Sequence, residues 1–204
     1  MSVLDQLTSD LSWRESELGS LKVLLARKDI STQQQAVLLR ASWAMLYAHY
    51  EGFIKTALTV FFDQAQRTSK NCGSLPLPTR SFAMSSALKS IRSLPVNELL
   101  GEIDSFDVKY NACAPTFPDV DTKSNLWANV LSDLLVSADL KVPYLEEHKA
   151  KLNTLVERRN RIAHGNFESI TEISYYFSYE TAVYDLMYDL AYQIDERLKL
   201  PPYS

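Results

Sequence analysis

The sequence predicts an all-α fold, a helical bundle of four to five long helices with a loop-rich insertion at about residues 71–122. Three observations predict it. Apolar residues recur at three- and four-residue intervals along most of the chain, the stripe of a helix lying on a core. Only five glycines occur in 204 residues, little material for tight hairpins. No segment alternates convincingly as a strand, residues 173–179 being the one rival. A chain of this length supports one fold with a real core, so residues 1–204 are read as a single domain.

Val3, Leu4, Leu7, Leu11, Leu18, Leu21 and Leu25 mark the first helix. Leu38, Leu39, Ser42, Met45, Leu46, Tyr50, Phe53, Ile54, Ala57, Leu58, Phe61 and Phe62 carry a second over roughly six turns or more, the spine of the fold. The stretch 71–78, with Gly73, Pro76 and Pro78, cannot continue a hydrogen-bonded ladder and breaks it. Shorter helical pieces follow at about 82–92 and 96–103, and Pro115 and Pro118 keep 104–120 irregular. Asp121 or Thr122 can cap a helix over about 123–138, with Leu126, Val130, Leu131, Leu134 and Leu135 on one face. Pro143 opens a helix through Leu145, Leu152, Leu155, Val156 and Ile162, and Gly165 is placed to end it. Ser178 can cap a last helix to about Lys199, ended by Pro201 and Pro202.

Composition narrows the function classes. A formal charge of −4 and a pI near 5.4 exclude a general nucleic-acid coat, which needs a broad positive surface, though not a small basic patch. The uncharged run 41–50, which no other run exceeds, is far short of the roughly 20 residues of a membrane helix, and no signal peptide opens the chain, so no membrane partner is expected. Cys72 and Cys113 have neither metal nor redox spacing, and a cytoplasmic location follows. Three histidines and two cysteines show no zinc-type pattern, and no Gly-x-Gly loop exists to cradle a dinucleotide. The expectation is no metal and no cofactor.

The chemistry concentrates in "RRNRIAHG", residues 158–165. Between His148 and His164 lie Lys149, Lys151, Arg158, Arg159 and Arg161 against a single acid, Glu157. Such local positive charge in an acidic chain suits an anion; the plainer use is to complement the carboxyl end of a helix. Arg159 and His164 sharpen the first reading. A guanidinium offers phosphate a fixed fork of donors, and imidazole takes and gives a proton near neutral pH. With the 2′-hydroxyl of RNA they suffice for phosphoryl transfer: the histidine moves the proton and the arginine holds the charge developing on phosphorus. At about 100° per residue, Arg159 and His164 stand about 140° apart around a helix and Asn160 about 40° from His164. Asn160 is therefore the neighbour that can orient the ring. Arg159 must reach around unless the helix deforms or a second subunit completes the site.

Arg159-Asn160-x-x-x-His164 at the end of a helix resembles the signature of the HEPN superfamily. "LRASWAMLYAHYEGFIK", residues 39–55, is similar to the long second helix of stand-alone prokaryotic HEPN proteins of toxin–antitoxin and phage-defence loci, and "WRESEL" (13–18) and "TKSNL" (122–126) are similar to further motifs of that branch. The resemblance implies a helical domain that pairs as a homodimer around an RNA substrate, cleaving it without a metal and leaving a 2′,3′-cyclic phosphate or 3′-phosphate and a 5′-hydroxyl. It makes Arg159 and His164 catalytic with Asn160 supporting, and an antitoxin or defence-system protein the partner. Some HEPN domains bind nucleotides or proteins without cutting, which gives the alternative of a non-catalytic module using the same basic patch.

Arg158, Arg161 and Glu51 are support candidates. Glu51, beside Gly52, can pair with Arg159 or Arg161, or with Lys55 on the surface. His49 is expected to be a satisfied core or interface histidine, and His148 to be exposed in a charged turn of helix. Tyr175, Tyr176, Tyr179, Tyr184, Tyr188 and Tyr192 can stack on bases, but their spacing favours packing or a subunit interface. The insertion at 71–122 can carry selectivity.

Overall fold

The structure, a computed structural model, describes residues 2–167, 170 and 172–204. It is all-α, with no strand among the described residues. Four long helices, α1 (Val3–Leu25), α2 (Thr32–Thr68), α7 (Pro143–Ala163) and α8 (Ile173–Leu198), pack around one apolar core. The shorter α3 (Leu77–Ala83), α4 (Ser85–Ile91), α5 (Val96–Asp104) and α6 (Ala128–Ser137) lie between α2 and α7. α2 is the spine: it packs on α1, α7 and α8 and buries Trp43, Tyr50, Phe53 and Phe61 completely. Ser2 and Ser31 open α1 and α2 with capping boxes, each hydroxyl accepting an amide that the helix leaves unpaired.

Three expectations need correction. The helix placed over 123–138 begins only at Ala128. Asp121 does not cap it; its carboxylate accepts the Lys123 amide at 2.8 Å, closing a turn in which Lys123 and Ser124 take left-handed φ of 51° and 65°. The last helix starts at Ile173 rather than after Ser178, and it absorbs the would-be strand 173–179. Its first turns are helical because Tyr175, Tyr176 and Tyr179 then converge on one ring, Trp43, with centroids 6.0, 6.2 and 4.6 Å away. His148 is buried, not exposed: its Nε2 meets Asp185 of α8 at 3.0 Å and its ring stacks on Tyr144. The tyrosines of α8 divide, with Tyr176 and Tyr179 buried and Tyr175, Tyr188 and Tyr192 exposed.

A charged network fastens α1 to α2. Arg14, buried, holds Asp10 through Nε at 2.8 Å and donates through Nη1 to the His49 carbonyl at 3.3 Å. The same Nη1 lies 3.5 Å from His49 Nδ1, and since arginine only donates, Nδ1 accepts. The proton of neutral His49 then sits on Nε2, 2.9 Å from Glu17. Gly52 makes room for this arginine: a Cβ there would stand 2.9 Å from Arg14 Nη1. Arg14 and Glu17 of "WRESEL" thus serve a helix contact.

Burial lowers the pKa of His49 below its ordinary value, outweighing the pull of Glu17. The unfolded chain therefore binds the proton first as pH falls. The stability contribution is full above the unfolded value of about 6.5 and is lost as pH drops from there toward the folded value. Urea unfolding from pH 7.5 to 5 is expected to show that loss, and His49→Gln to remove the His49 part of the slope. An identical pH profile in the variant would contradict it.

Candidate functional site

α7 ends as its sequence dictates. Gly165 takes φ +75°, its amide bonds to the Ile162 carbonyl at 3.1 Å, and the Asn166 amide reaches back to Arg161 at 2.9 Å. His164 becomes the cap residue, its amide bonded to the Asn160 carbonyl at 3.0 Å and the residue exposed. Arg159 lies on the inner face of α7 and turns toward α2. Its guanidinium sits 3.8 Å over the centre of the Tyr47 ring and 3.8 Å from a Glu51 carboxylate oxygen. Of the three partners offered to Glu51 by the sequence, Arg159, Arg161 and Lys55, Arg159 is the one it meets. Arg158 covers Trp43 and Tyr175, with ring centres 4.8 and 4.9 Å away. Arg161 points outward to Glu157 at 2.5 Å. Asn160, half-buried, lies between the two faces.

The floor of this arrangement is a single face of α2. Arg40, Trp43, Tyr47 and Glu51 fall within about 80° of arc at about 100° per residue, and His49 and Gly52 lie on the opposite side. α7 runs against this face in the reverse direction. Glu51 meets Arg159, and about three turns earlier Arg40 donates from Nη2 to the Asn166 carbonyl at 3.2 Å, just past His164. The turn 121–127 is bound to the same helix. The Tyr47 hydroxyl accepts the Leu126 amide at 2.9 Å, and the Tyr50 hydroxyl donates to the Leu126 carbonyl at 3.1 Å. Burial pushes the Tyr47 hydroxyl up from its ordinary pKa, opposed by the Leu126 amide and the Arg159 guanidinium.

One backbone group and one guanidinium thus share a tyrosine, which makes a clean test. Tyr47→Phe keeps the ring beneath Arg159 but leaves the buried Leu126 amide without its acceptor, at a cost of about 1–3 kcal/mol in urea unfolding. A variant as stable as wild type would show that the turn is held by other contacts.

Arg159, Arg158 and Glu51 are therefore gathered on the α2–α7 contact, with Asn160 half-buried beside Arg159, His164 exposed at the end of α7 and Arg161 directed to Glu157. Sequence reasoning missed Arg40, Trp43 and Tyr47 as parts of this place. Their signal was present, since positions 40, 43, 47 and 51 repeat at three- and four-residue steps, but aromatic residues at that spacing also read as core.

A family model described as HEPN_MAE_28990-like HEPN matches residues 3–203, and the chain belongs to that family. Membership marks it as a nuclease-like or RNA-related module. No curated protein and no solved structure matches it. Among the described residues, no helix is long and apolar enough to cross a membrane.

Proposed function

We propose that the protein is a cytoplasmic, homodimeric endoribonuclease that cleaves RNA by 2′-hydroxyl attack without a metal ion, as a toxin or phage-defence effector. The observation that carries this reading is the division of labour on α7. Arg159 is fixed in orientation by Tyr47 and Glu51, and His164 stands exposed at the cap two residues from the anchor at Asn166. Arg159 and His164 face different sides of α7, so a second copy supplies the complement. With two motifs opposed across a two-fold axis, one His164 takes the 2′-hydroxyl proton. The 2′-oxygen bonds to phosphorus, the bond to the 5′-oxygen breaks, and the second His164 protonates that oxygen. Arg159 holds the charge on the phosphoryl oxygens and Asn160 orients the imidazole. The products are a 2′,3′-cyclic phosphate and a 5′-hydroxyl. No cofactor enters, and an antitoxin or defence-system protein is the expected restraint.

Mixed cellular RNA incubated with the protein in excess EDTA tests this. Fragments with 5′-hydroxyl ends are expected, and an inert wild type at high concentration overturns the reading. Sedimentation at micromolar concentration tests the composite site, since a strictly monomeric species removes its second half. The second reading is a non-catalytic module that binds a partner protein or nucleotide through the same basic patch, where Arg158 lies over the exposed Tyr175 ring. That reading expects binding that weakens with salt and depends on Arg158, Arg159 and Arg161 more than on His164.

A further inference from the structure

We propose that the groove between the start of α2 and the turn after α7 is a nucleobase subsite, taking the base beside the phosphate held at Arg159 and His164. It rests on the RNA reading given above.

Position is the first argument. Arg40 links the groove to the motif, since it lines the groove and donates to the carbonyl of Asn166, two residues past His164. Phe167 follows one residue later, and three residues of chain span at most about 10 Å. A base in the groove is thus one nucleotide's reach from a phosphate at His164.

Chemistry is the second. The groove encloses about 440 Å³, within the range of small-molecule sites of about 300–1,000 Å³. Its walls are Val37, Leu39, Phe167 and Ile170, an apolar slot suited to the flat faces of a base. Gln33 and Arg40 bring the polar edge: an amide that both donates and accepts, and a guanidinium. Arg40 Nε is buried and has no hydrogen-bond partner among the described residues. Phe167 is 86 % exposed and Val37 61 % exposed, an apolar pair beside the motif that the core does not use. Single-stranded RNA is read in this manner, by stacking on an aromatic ring or a guanidinium and by hydrogen bonds to the base edge.

The test uses the full chain and its His164→Ala form, titrated calorimetrically with the four ribonucleoside 3′-monophosphates and with inorganic phosphate. At least one nucleotide is expected to bind about tenfold or more tightly than phosphate, the margin that stacking supplies. Phe167→Ala and Val37→Asp, both at exposed positions, are expected to erase most of that margin. Phe167→Ala is also expected to flatten the base preference next to the cut in a mixed oligoribonucleotide. Nucleotides that bind no better than phosphate, or a margin and cutting pattern unchanged in both variants, overturn the subsite. If Phe167→Ala splits a dimer and leaves nucleotide affinity intact, the groove is a contact between copies and the subsite is again overturned. The two readings fail separately. Full nucleotide discrimination in a protein that leaves RNA intact keeps the subsite and ends the nuclease, whereas cutting without discrimination does the reverse.

Discussion

Replacing His164 by alanine is expected to slow RNA cleavage about 10²- to 10⁴-fold, the usual worth of a positioned acid or base, with the unfolding midpoint unchanged. The two halves of that expectation have separate causes. His164 is exposed at the cap of α7, and its backbone amide, not its ring, makes the capping bond, so truncation removes chemistry without opening a cavity. Arg159→Ala is expected to differ in kind. It should lose about 10²- to 10³-fold in rate, as when one donor to a developing oxyanion is removed. It should also lose about 1 kcal/mol of stability, because it uncovers the Tyr47 ring and leaves Glu51 without its cation. Arg159→Lys keeps the charge but not the flat fork lying on Tyr47, and it should recover stability better than rate. Steady-state cleavage in EDTA beside urea unfolding of the same preparations separates these outcomes. A His164→Ala protein that cuts at the wild-type rate removes the histidine from the mechanism.

Arg14→Ala is expected to destabilise the fold by about 3–5 kcal/mol, the range for removing one partner of a buried ion pair. Asp10 and the His49 carbonyl each lose the Arg14 donor, Asp10 keeping that of Trp13 Nε1, and α1 loses a tie to α2. Gly52 supplies a control with a change of sign. In wild type, Gly52→Ala drives a methyl into Arg14 Nη1 and should destabilise, because Asp10 and His49 hold that guanidinium in place. In an Arg14→Ala background the space is open, and the helix propensity of alanine over glycine should make the same substitution stabilising by about 1 kcal/mol. A double-mutant cycle in urea reads the coupling, and additivity of the two changes would show that Gly52 is not there for Arg14.

Much of this architecture is legible one helix at a time. The leucine stripe of α1, the long apolar face of α2, Pro143 at the start of α7 and Gly165 after its end are local signals, and each element formed where they stand. Arg159 could be named among the candidate partners of Glu51, but the glycine beside that carboxylate marks a different neighbour, Arg14 on the opposite side of α2. Other features are set by partners distant in sequence. Asp121 carries a good capping side chain, yet Tyr47 and Tyr50, more than seventy positions earlier, hold Leu126 in a turn that delays α6. His148 stands among charged neighbours and looks solvated, yet Asp185 lies opposite it. Residues 173–179 were a rival strand in the sequence, and the packing of Tyr176 and Tyr179 on Trp43 makes them the start of α8. The catalytic candidates were readable because their chemistry is compact, eight consecutive residues. Their aromatic floor was not, because it is shared with the core.

The crowding at Gly52 also acts as a rotational stop. α2 serves α1 from His49 and Gly52 on one side and α7 from Tyr47 and Glu51 on the other, and a rigid helix cannot turn one side alone. A twist of about 10° about its axis carries groups at a radius of about 5–6 Å through about 1 Å. Misplacement of that size costs on the order of 10² in rate when it reaches reacting groups. The alignment of Arg159 is thereby indexed from the far side of the bundle, by how closely an arginine of α1 approaches a residue with no side chain.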